Sequence, residues 1–152
     1  MTMQEVITNS QFFTDETVTQ VNSLSVFNRA LSIINTECGT IFPFVDNINT
    51  KYTSMPSNWL FSMLSPYLSY AVKMNDSSTT EADKYLDEFY RALNNFKDNL
   101  GSLIASYDET DPESGISSDL VVQEGFGGVY EIDTSNAINV GWFGNSSNGG
   151  SW

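Results

Sequence analysis

Residues 80–107 read TEADKYLDEFYRALNNFKDNLGSLIASY. Ala82, Leu86, Phe89, Leu93, Phe96, Leu100, Leu103 and Tyr107 step alternately by four and three along the whole stretch. That repeat lays an apolar seam down one side of a helix, and it predicts a helix from Thr80 to Tyr107, roughly 40 Å long. Gly101 within it costs about 1 kcal/mol relative to Ala, so the last turns are expected to be the weaker ones. The other face carries Glu81–Lys84, Lys84–Glu88 and Asp87–Arg91 at helical spacing. These read as surface ion pairs worth a few tenths of a kcal/mol each, not as catalytic carboxylates, because regular pairing predicts a flat solvated face.

Upstream, the pattern breaks at Asn75–Thr80, where Ser78 followed by Glu81 suggests a capping box for the long helix. Before the break, Trp59, Leu60, Met63, Leu64, Tyr67, Leu68, Ala71 and Val72 fall in pairs that make a broad apolar helical face, starting near Ser54 or Ser57. Pro66 lies inside that run and is expected to kink or restart the helix. An earlier helix is marked by Phe27, Ala30, Leu31, Ile34 and Cys38, with Gly39 placed as its C-terminal cap. Between these two helices, TIFPFVDNINTKYTSMPSN has two prolines and little period, and reads as a loop with Ile41, Phe42, Phe44 and Val45 pressed on the core. Gln4–Phe13 predicts a short first helix with Val6, Ile7 and Phe13 as contacts, and Thr14-Asp15-Glu16 reads as a helix start.

Downstream, DETDPESGISSD ends the helical part with Pro112 and Gly115. Beyond it Val121, Val129, Tyr130, Ile132, Ile138 and Val140 are strand formers separated by Gly-Phe-Gly-Gly and Asp-Thr-Ser-Asn. The expected fold is therefore mainly α: a small helical bundle with one long helix over residues 1–108, then an acidic loop and a short-stranded or extended C-terminal arm over 109–152. A two-stranded unit is marginal alone in water, so the arm needs the helical body or another chain. Its last residues, AINVGWFGNSSNGGSW, put aromatic groups in a Gly, Asn and Ser background that cannot bury them. Ile138, Val140, Trp142, Phe143 and Trp152 are thus the expected subunit or partner contacts, the aromatics acting as anchors.

Six basic residues against nineteen acidic give a formal net charge of −13, and no Lys or Arg follows Lys97. Such a surface repels phosphate, which argues against ordinary nucleic-acid binding and against an anionic membrane. The absence of histidine removes the commonest general base and metal ligand together. The lone Cys38 cannot form an intrachain disulfide and suits a reducing compartment. DETDPESG lacks the ligand spacing of a helix-loop-helix calcium site, and GFGG has neither the following helix nor the basic neighbour of a phosphate cradle. No signal peptide or membrane span is expected from MTMQEVITNSQFF or from any later run. No catalytic, cofactor-binding or metal-binding residues are assigned, and the chain is expected not to be an enzyme.

Two stretches carry a family resemblance. VFNRALSIINTECGTIFPFVD resembles the opening helix of the head-to-tail connector (adaptor) proteins of tailed bacteriophages. WLFSMLSPYLSYAVKMNDSSTTEADKYLDEFYRALNNFK resembles their central helical hairpin. Leu64, Pro66, Tyr67, Leu68, Tyr70 and Ala71 occupy an L-x-P-Y-L-x-Y-A run, and Tyr85, Phe89, Tyr90 and Leu93 the second helix. The resemblance covers Val26 to about Leu100. It implies a structural virion subunit in a homo-oligomeric ring, usually twelvefold, in the neck between head and tail after synthesis in the host cytoplasm. That ring would dock under the portal protein and extend the DNA channel to a tail or stopper protein, with DNA passing without specific binding. Another phage structural subunit, such as a tail-completion or capsid-associated protein, fits the same features. A small acidic enzyme or enzyme regulator using the Glu81–Glu88 carboxylates is the third reading, and it requires a cleft.

Overall fold

A computed structural model describes residues 1–14, 22–75 and 78–122, with the side chains of 11–14 and everything in 15–21, 76–77 and 123–152 outside the description. Four α-helices occur among the described residues: α1 (Met3–Thr14), α2 (Ser23–Cys38), α3 (Ser57–Asn75) and α4 (Thr79–Ala105). The mainly helical bundle with one long helix is what the periodicities predict. The chain divides into two units, Met1–Leu120 and Val121–Trp152, and all described residues but Val121 and Val122 belong to the first.

The heptad seam behaves as its spacing requires. Ala82, Phe89, Leu93, Phe96 and Leu100 are buried along α4, Leu86 and Leu103 are half-buried, and Tyr107 lies just past the helix end and is exposed. Opposite them α3 buries Leu60, Met63, Leu64, Tyr67, Leu68 and Val72. Ring contacts fix the direction of packing: Trp59 meets Phe96 at 5.7 Å and Tyr67 meets Phe89 at 4.9 Å between centroids, while Lys73 Nζ reaches Glu81 at 3.8 Å. Partners late in α4 pair with residues early in α3, so the two helices form an antiparallel hairpin. α1 lays Met3, Val6, Ile7 and Ser10 against α3, where the buried Ser10 hydroxyl donates to Ser65 Oγ at 3.0 Å. α2 contributes Val26, Phe27, Ala30, Leu31 and Ile34 to the same core.

Several local expectations are corrected. Thr14 is the last described residue of α1, and Asp15 and Glu16 lie outside the described residues. Asn22 caps α2, its extended backbone letting Oδ1 accept the Ser25 N–H at 3.2 Å. Ser78 does hold the N-cap position of α4, but its side chain makes no capping bond. The short link ties the Ser78 N–H to the Lys73 carbonyl at 2.9 Å, and Glu81 turns to Lys73. The reciprocal capping box forms instead at α1: Thr2 Oγ1 accepts from Glu5 N at 3.1 Å, and Glu5 Oε1 accepts from Thr2 N at 2.8 Å.

Nor do the three predicted surface pairs on α4 close to ion-pair distance among the described residues; Lys73–Glu81 does. Long exposed side chains gain too little from such contacts to be held in one geometry. α3 runs through Pro66 without a restart. The carbonyl that Pro66 leaves without an N–H belongs to Ser62, which faces solvent, where water can satisfy it. Gly39 takes the left-handed conformation (φ 66°) that ends α2, its N–H donating to the Asn35 carbonyl at 3.0 Å.

Two substitutions on α4 separate seam from surface. Phe96→Ala should lower unfolding free energy by about 3–5 kcal/mol in denaturant titration, because the ring is fully buried between Trp59 and Phe42. A methyl group at Gly101 meets nothing within 4 Å, so Gly101→Ala should raise stability by up to about 1 kcal/mol.

Candidate functional site

Between α2 and α3 the chain has no regular structure, yet its backbone is closely held. Asn28 and Asn35 lie seven residues apart, on the same side of α2. The Asn28 side chain accepts the Val45 N–H at 2.7 Å and donates to the Val45 carbonyl at 2.8 Å. Asn35 does the same for Phe42, at 2.8 and 3.1 Å, and its Oδ1 also accepts the Thr40 hydroxyl at 2.9 Å. A side-chain amide carries the same donor and acceptor as a peptide, so each asparagine stands in for a neighbouring strand. The Ile41 N–H donates to the Leu120 carbonyl at 2.8 Å, and the Tyr52 hydroxyl donates to the Pro43 carbonyl at 2.8 Å.

This pinning sorts the side chains. Phe42 and Val45 turn inward, with Phe42 6.1 Å from Phe96 between ring centroids. Ile41 and Phe44 turn outward and are 55% and 62% exposed. The expectation that all four lie on the core is therefore half wrong. The cause is that Asn35 and Asn28 anchor the backbone with Phe42 and Val45 facing inward, which leaves Phe44 between them and Ile41 just before Phe42 on the solvent side. The apolar character of Ile41 and Phe44 was visible in the sequence, but the asparagines that orient them were not.

A second tie joins the acidic loop to the N-terminus of α3. Glu113 accepts the Ser57 N–H and the Ser57 hydroxyl, both at 2.7 Å, and the Met1 ammonium donates to Ser57 Oγ at 3.3 Å. The Ser57 donors hold the Glu113 carboxyl below its ordinary range, helped slightly by the Met1 ammonium and Lys51. Within the loop, Asp108 Oδ1 accepts from the Thr110 N–H at 3.0 Å and hydroxyl at 2.8 Å, which lowers its pKa, and Asp111 Oδ1 accepts from Glu113 N at 3.0 Å. The loop closes on α4 through the fully buried Ile116, whose N–H donates to the Leu103 carbonyl at 3.1 Å. Gly115 is required there, since a Cβ would overlap that carbonyl oxygen.

These acids are thus engaged by backbone and hydroxyl donors, and among the described residues no three carboxylate or thiol groups converge as a metal site would need. Burial pushes the Cys38 thiol up to about 11, with Lys97 pulling weakly the other way, which leaves little thiolate near neutrality. A shallow groove of about 270 Å³ beside Pro66 is lined by Phe61, Ser62, Ser65, Ser69, Tyr85 and Glu88, and brings in a single carboxylate. Ile138, Val140, Trp142, Phe143 and Trp152, the predicted contact residues, lie outside the described residues. No described helix is long and apolar enough to cross a membrane. Comparison of the chain with protein families, curated proteins and solved structures found no match in any of the three.

Asn35→Ala removes both tethers of Phe42 and should destabilise the chain by about 2 kcal/mol or more in denaturant titration, since partly buried backbone groups lose their partners. Glu113→Ala should cost about 1 kcal/mol at pH 7, as loss of a helix cap does. Because the folded pKa of Glu113 is lowered, its contribution is present above the ordinary glutamate range and disappears as pH falls through the lower folded value. The gap in melting temperature between wild type and Glu113→Ala should accordingly shrink as pH drops below about 4.

Proposed function

We propose that this chain is a structural assembly subunit without enzymatic activity, a head-to-tail connector that forms a ring beneath a phage portal and continues the DNA channel towards the tail. The observation that carries the reading is that the region bearing the resemblance folds as one continuous body. α2, the pinned segment and the α3/α4 hairpin share a single core, and the L-x-P-Y-L-x-Y-A run turns Leu64, Tyr67 and Leu68 into it. The acidic surface supports the same role, because a channel lined by carboxylates lets DNA pass without holding it. The groove beside Pro66 gives little support to a carboxylate enzyme, since acid–base chemistry of that kind needs a second acid or base opposite Glu88.

Solution mass by light scattering tests the proposal, first for the chain alone and then with a purified portal ring. A monomer that joins the portal in a fixed, symmetric ratio is expected; a monomer that ignores the portal contradicts the reading. Deleting Ile138–Trp152 should leave the helical circular dichroism unchanged and weaken or abolish assembly. Unfolding of that truncated chain would mean that the aromatic end belongs to the core.

A further inference from the structure

We draw no further inference here: the strongest candidate, the tyrosine patch on the α3/α4 hairpin beside α2, where ring contacts link Tyr70, Tyr67, Phe89 and Tyr90 and Arg29 donates to the Tyr67 hydroxyl, carries nothing because nothing in the structure shows what covers it.

Discussion

The backbone of residues 42–45 has neither a helix nor a sheet to satisfy it, and Asn28 and Asn35 of α2 supply partners at Phe42 and Val45. A peptide group left unpaired on folding costs more than a typical hydrogen bond contributes, so an aperiodic connection packed on a core needs fixed partners. Each asparagine provides a donor and an acceptor to one residue of the segment. Where those two residues sit then decides which side chains enter the core. Phe42 reaches Phe96, and the aperiodic segment is thereby joined to the heptad seam of α4. Without the tethers the Phe42 ring would still favour the core, but nothing would fix which residues of the segment turn inward and which outward.

The α3/α4 hairpin supplies most of the apolar burial, and its ends are tied by polar contacts from elsewhere in the chain. At one end the Lys73–Glu81 pair and the Ser78–Lys73 backbone bond close the link between the helices. At the other, Glu113 caps α3 while Ile116 is inserted beside Leu103. The acidic loop is thus a brace between the C-terminal end of α4 and the N-terminal end of α3. Its carboxylates satisfy donors within the fold, and a helix N-terminus suits the negative charge of Glu113.

The fold was legible where one residue type recurs at a fixed period. The four-three steps from Ala82 to Leu103 and the paired apolar positions of α3 predict the hairpin, and Gly39 predicts the end of α2. Interactions between residues far apart in sequence were not legible. Asn28 and Asn35 look like ordinary polar positions on a helix, and nothing local reveals that they meet Val45 and Phe42. Glu113 lies fifty-six positions from Ser57, a separation no capping pattern spans. Ser78 and Glu81 match the capping-box spacing as well as Thr2 and Glu5 do, yet only the latter pair forms it, because the Ser78 N–H is already given to the Lys73 carbonyl. As for the site, the two outward apolar groups of the connection were visible as residues but were placed on the wrong side, and the aromatic C-terminal contacts lie outside the described residues.

The central claim is that asparagine side chains hold residues 42–45 as firmly as a strand neighbour would, so that Phe44 is presented on a fixed backbone. Amide hydrogen exchange on the full chain tests this directly at the Phe42 and Val45 N–H groups, the donors that Asn35 and Asn28 accept. The account predicts protection at both close to that of the buried turns of α2 and α3. Exchange at the rate of an open loop, with the helices still protected, would contradict it.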